Sequence, residues 1–127
     1  MDNKLPSEHV ANFIFYITTA LENYNIYYNK VGEQDRLTQD YLHALEINDN
    51  NKAERERITQ QLIDNRRDRR FYKDRVEEIE PIVEFYNNPN NKMAFERLNQ
   101  LLEALKNVEE YHKNRTYKPR VLREENE

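Results

Sequence analysis

The sequence predicts an all-α fold: a long antiparallel helical hairpin plus a third helix, packed as a coiled-coil-like bundle. Three observations carry that reading. Apolar residues recur at alternating steps of four and three over most of the chain, the spacing that keeps one stripe of a helix turned to a partner. The 127 residues include a single Gly and four Pro, too few turn formers for a fold of many short strands. Asn-rich turn signals stand near residues 49–51 and 87–91, and they divide the periodic stretches into three.

The first helix is expected over about residues 7–47. Pro6-Ser7-Glu8 opens it, with Ser7 placed to cap and Glu8 where the helix dipole favours an anion. Val10, Ile14, Ile17, Leu21, Tyr24, Tyr28, Val31, Asp35, Thr38, Leu42 and Leu45 then follow in unbroken register. A second apolar edge, Phe13, Tyr16, Ala20 and Tyr27, widens the stripe. Gly32 lies within this seam, where it costs about 1 kcal/mol against Ala. A break there, folding the second half back into a compact four-helix monomer, is the alternative architecture.

The second helix is expected over about residues 51–87. Asn51 with Glu54 three residues on resembles a capping box, and the short link at 49–50 sends the chain back antiparallel. Its seam is Ile58, Leu62, Asn65, Arg69, Tyr72, Val76, Ile79, Val83 and Tyr86. Pro81 should kink the helix or split it at Glu80. The third helix, about 90–113, carries Ala94, Leu98, Leu101, Leu105 and Val108, with Phe95 and Leu102 beside them. Residues 1–114 thus read as one helical domain. The tail, 115–127, turns from basic (Arg115, Lys118, Arg120, Arg123) to acidic (Glu124, Glu125, Glu127) and is expected to be partly mobile.

Folding the first hairpin about residue 49 or 50 brings Asp35, Thr38, Asn65 and Arg69 to one level, a polar layer of the kind that sets register. Arg69 should lean toward its own N-terminus, to the level of Glu33. Folding the second hairpin about Pro89 lays the third helix along residues 66–86, with Glu109 and Glu110 near Arg66, Arg69 and Arg70. The half holding Leu42, Leu45, Ile58 and Leu62 is then a two-helix arm with a seam open on its sides. A second copy of the chain is the simplest cover, so a homodimer is expected.

Composition removes several functions. Without Cys there are no disulfides, thiolate nucleophiles or Cys-based zinc sites. Mean hydropathy of -1.16 and the lack of a long apolar run point away from membranes and toward the cytoplasm. Leu, Ile, Val and Phe number 30 of 127, enough to lift the chain above intrinsic disorder. The net charge of -4 gives no global pull toward nucleic acid.

Few residues offer chemistry. His9, His43 and His112 are scattered, and Ser7 is the only serine, so nucleophilic catalysis has no parts. Glu109-x-x-His112 is half of a carboxylate-bridged di-iron motif with no second half. Glu77-x-x-Glu80 is half of the magnesium set of helical nucleotide pyrophosphohydrolases, again without its partner. No cofactor, metal or enzymatic activity is expected. Residues 66–75 are the one local charge concentration: Arg66, Arg67, Arg70, Lys73 and Arg75, with Phe71 and Tyr72 interleaved, could contact phosphates and stack a base, joined by Lys118 and Arg120 of the tail. The simpler reading pairs Arg66, Arg69 and Arg70 with carboxylates of the neighbouring helices. Tyr16, Tyr24, Tyr27, Tyr28 and Tyr41 give the first helix a semi-polar aromatic surface suited either to a wet core or to a partner.

Arg69-Arg70-Phe71-Tyr72-Lys73-Asp74, then Val76-Glu77-Glu78-Ile79-Glu80-Pro81-Ile82-Val83, and the ending Tyr111-His112-Lys113-Asn114-Arg115-Thr116-Tyr117-Lys118-Pro119-Arg120-Val121 resemble small helical proteins encoded by phages and prophages of low-GC Gram-positive bacteria. The resemblance spans residues 55–122 and carries no catalytic motif. It supplies a phage context and no mechanism; the function expected in that context is a non-enzymatic helical oligomer that docks on a host or phage protein, such as a defence or replication factor. A nucleic-acid-binding accessory protein is the alternative.

Overall fold

The computed structural model describes residues 3–121 and is all-α. Three helices follow one another: α1 (Pro6–Ile47), α2 (Lys52–Asn87) and α3 (Pro89–Asn114). The residues Arg123, Glu124, Glu125 and Glu127 of the tail, with its expected mobility, lie outside the described residues.

α1 is continuous over 42 residues, about 60 Å, so it does not break at Gly32 and the four-helix monomer does not form. Gly32 keeps an ordinary negative φ, and a Cβ added there would meet only the Arg36 guanidinium at 3.7 Å. The helix therefore loses only the backbone entropy of one Gly, which the packing on either side offsets. Its N-cap is Leu5, with Pro6 in the first turn, and the Glu8 carboxylate accepts from the Leu5 N–H at 3.3 Å. Ser7 is thus inside the helix rather than its cap.

α2 starts as its residues require: the Asn51 side chain accepts from the Glu54 N–H at 2.8 Å. It runs through Pro81 without splitting. Pro81 is exposed, so the carbonyl left without its donor lies on the solvent side, where water can satisfy it. The link to α3 is a single residue, Asn88, whose side chain accepts from the Asn90 and Asn91 N–H groups at 2.9 and 3.4 Å. Asn91 Nδ2 returns a bond to the Phe85 carbonyl at 3.0 Å, which ties the end of one helix to the start of the next.

Every position of the α2 seam is buried or half-buried, and Ile58, Asn65 and Val76 are the most enclosed. On α1 the covered stripe is offset from the predicted one. Val10, Ile14, Ile17, Leu21, Tyr24, Val31, Thr38 and Leu45 stay at least half-buried, but Tyr28, Asp35 and Leu42 are exposed. Ala20, Tyr27, Gln34 and Tyr41, seven residues apart, take their place. With Tyr24, Val31, Thr38 and Leu45 they keep a seven-residue repeat, so from Ala20 on the contact lies on the neighbouring flank of the predicted stripe.

α3 departs most from expectation. Its start shares a cavity with Phe13 and Ile17 of α1 and with Ile82, Phe85 and Tyr86 of α2. Near its end, Glu109 accepts from Ser7 Oγ at 2.5 Å and from the Ser7 N–H at 3.2 Å. As numbers rise along α3 they fall along α1, so α3 crosses the open end of the hairpin instead of returning along α2. Had it returned, Glu109 would lie about 30 Å up the hairpin. Its covered stripe is Asn91, Phe95, Leu98, Leu102, Leu105 and Glu109, while Ala94, Leu101 and Val108 are exposed. No residue of α3 is fully buried, so the Ser7–Glu109 bonds matter to its placement. Glu109→Ala should cost about 1–3 kcal/mol, the range for charge-assisted bonds, and speed amide exchange in residues 100–114 while leaving residues 52–80 unchanged.

Candidate functional site

Midway along the hairpin the polar layer closes on itself. Thr38 Oγ1 donates to Asn65 Oδ1 at 2.6 Å, and Asn65 Nδ2 donates to the Gln34 carbonyl at 2.9 Å and to Gln34 Oε1 at 2.7 Å. Asn65 is 4% exposed, and all of its side-chain capacity toward α1 is met. Beside it, Arg69 Nε lies 2.6 Å from Asp35 Oδ1, with Arg66 at 4.0 Å from the same oxygen. The four expected members, Asp35, Thr38, Asn65 and Arg69, are therefore together. Gln34 is the member that sequence reasoning missed; its signal is the seven-residue spacing from Tyr27 and Tyr41. Glu33 instead pairs with Lys30 at 3.3 Å, because Arg69 reaches further up the hairpin than one helical turn.

The arginine patch is partly neutralised within α2, not by α3. Arg70 lies 3.8 Å from Asp74. Arg75 makes two bonds to Glu78, at 2.7 and 2.5 Å, and covers the Phe71 ring at 5.0 Å. The bonds to Glu78 hold the Arg75 guanidinium above its ordinary pKa, so it is charged at every accessible pH. Glu109 is taken by Ser7, and Glu110 accepts from Asn114 at 2.7 Å; neither meets Arg66, Arg69 or Arg70. Arg67 and Lys73 make no ion pair among the described residues. Phe71 and Tyr72 pack edge to face at 5.5 Å, and Tyr72 stacks on Tyr27 at 6.1 Å, so Phe71, 50% exposed, already has Arg75 on its face and Tyr72 beside it.

Lys118 and Arg120 are exposed beyond the end of α3. That end lies at Ser7, about 25 Å or more along the hairpin from Arg75. Residues 115–120 span at most about 22 Å even fully extended. Tail and patch are not one surface.

Within the arm, Ile58 is buried, Leu45 and Leu62 are half-buried, and Leu42 is 44% exposed. Where α3 crosses the hairpin, Phe13, Ile17, Ile82, Tyr86, Phe95 and Leu98 line an open apolar groove of about 220 Å³. Among the described residues no three of His, Asp or Glu come close enough to hold a metal ion. No helix among them is long and apolar enough to cross a membrane. Comparison with known protein families, curated proteins and solved structures finds no match.

Proposed function

We propose that this chain is a non-enzymatic protein-interaction module that works as a helical homo-oligomer and docks on a second protein. One observation carries the reading. The chain presents 10495 Å² of accessible surface, whereas a compact monomer of its 15.6 kDa would present about 7,300 Å². Among the described residues only Ala20, Ile58 and Val76 of the apolar side chains are buried, while Phe15, Tyr16, Ile26, Tyr28, Ile47 and Phe85 are more than half exposed. Apolar surface on this scale is what interfaces cover. The likeness to phage and prophage helical proteins supports a host or phage protein as the partner, in the host cytoplasm, with inhibition or modulation of a defence or replication factor as the outcome.

Nucleic-acid binding is the second reading, favoured by the exposed Arg66, Arg67 and Arg70. Asp35 beside Arg66 and Asp74 beside Arg70 count against it, as does the net charge of -4. Sedimentation equilibrium from low to high micromolar concentration should give twice the 15.6 kDa chain mass; a lone chain throughout removes the oligomer. DNA titrated at low salt should show no binding. Affinity that falls steeply with added salt would favour the second reading.

A further inference from the structure

One flank of α2 carries a charge pattern that its own reverse would complement. Arg66, Arg70, Lys73, Glu77, Glu80 and Glu84 follow one another at steps of four, three, four, three and four, so they form one stripe. Three cations are followed by three carboxylates. The pairs 66 and 84, 70 and 80, and 73 and 77 are all centred on residue 75. Each member follows a seam residue by one position, so the stripe runs about 100° round the helix from the seam, along the flank of the α1–α2 contact. Its members are exposed except Lys73, which is half-buried.

Their charges are also available. Arg66 stands 4.0 Å from a carboxylate already held by Arg69, and Arg70 is 3.8 Å from Asp74. Lys73, Glu77, Glu80 and Glu84 make no ion pair among the described residues. Exposed Tyr28 and Ile63 add apolar surface nearby: Ile63 precedes Arg70 by seven residues on the same stripe, and Tyr28 precedes Asp35, the partner of Arg66, by seven.

We infer that two copies of the chain pair antiparallel through this face of α2, about a two-fold axis level with Arg75. In that arrangement Arg66, Arg70 and Lys73 of each copy meet Glu84, Glu80 and Glu77 of the other. Parallel pairing in register would set like charges together. A parallel stagger that matches them leaves half of each stripe unpaired and open to further copies, so only the antiparallel arrangement closes as a dimer. The inference rests on the homo-oligomer reading and gives it an interface and an orientation. The charges select partner and register, and the buried apolar area supplies affinity.

The test uses two full-length variants. Arg66→Glu/Arg70→Glu/Lys73→Glu makes the stripe wholly acidic, and Glu77→Lys/Glu80→Lys/Glu84→Lys makes it wholly basic. Each alone should associate with itself about tenfold or more weakly than the wild type by sedimentation. An equimolar mixture should form a heterodimer tighter than the wild-type homodimer, and added salt should weaken it. A chain carrying all six changes restores the pattern reversed and should dimerise again, which guards against a variant that merely loses helix. A wild-type dimer that survives both reversals, with no preference in the mixture, overturns this interface and leaves the homo-oligomer standing. A wild type that stays a single chain overturns both.

Discussion

Ile58→Ala should lower stability by about 2–5 kcal/mol, the range for emptying a buried aliphatic site. Ile58 is 7% exposed and one of three buried apolar residues among those described. A domain's whole stability is about 5–15 kcal/mol, and a core this small places the chain toward the lower end. The bonds from Asn65 to Thr38 and Gln34, and the stacking of Tyr72 on Tyr27, fix how α1 and α2 are aligned. In that alignment Ile58 lies level with Tyr41 to Glu46, in the part of the hairpin that α3 does not reach. The loss should therefore appear first as fraying of the arm tip, with faster amide exchange in residues 41–62, before global unfolding in urea. Arg67→Ala, on the exposed side of the same helix, should stay within about 0.5 kcal/mol of wild type. Equal effects from the two substitutions would mean that the arm is held by something other than this seam.

Two features were legible in the residues because they depend on spacing alone. The steps of four and three along α2 mark the side that is covered, and the fold about residue 49 brings Asn65 and Arg69 to Thr38 and Asp35. What was not legible depends on angles. A seven-residue repeat read through Leu21 puts Tyr28 and Leu42 in the seam, yet the covered side of α1 is the equally spaced set one residue back, Tyr27, Gln34 and Tyr41, and spacing does not choose between the two flanks. The direction of α3 hinges on Asn88, a single residue between two helices. Its side chain caps α3 and so sets the angle between them, and no hydrophobic count contains that angle. The Ser7–Glu109 pair follows from the angle, joining residues 102 positions apart.

The path of α3 has a consequence for the hairpin. Beyond Ile17 on one strand of it and before Ile82 on the other, the two long helices have only each other. A two-helix hairpin cannot hide side chains that lie off the line between its axes, which is why Tyr28, Leu37, Leu42, Ile63 and Phe71 are all more than a third exposed. An α3 lying along residues 66–86 would have covered that stretch from one side. Its absence there leaves the charged stripe of α2 and the apolar residues beside it open together.

Asn65 provides the sharpest separation between stability and register, through two substitutions with opposite effects. Asn65→Asp replaces the amide that donates to the Gln34 carbonyl and to Gln34 Oε1 with an acceptor facing two oxygens. An unpaired charge at a site 4% exposed should destabilise by about 3–5 kcal/mol at neutral pH. The folded state would then raise the pKa of the new carboxyl above its unfolded value of about 3.9. Folded protein would bind the proton more tightly, so stability falls as pH rises from the unfolded to the folded pKa, and acid should restore most of the loss. Asn65→Leu removes the polar requirement and offers apolar volume to the seam. It should raise the urea midpoint, because the Thr38 hydroxyl, released from Asn65, has the Gln34 carbonyl 2.9 Å away to donate to. With no amide to demand Gln34 and Thr38 opposite it, the two helices can slide or recruit further copies. Sedimentation of the Leu variant should show a broader distribution of assemblies than the wild type. A more stable variant with an unchanged, single assembly would show that Asn65 fits the site without specifying it.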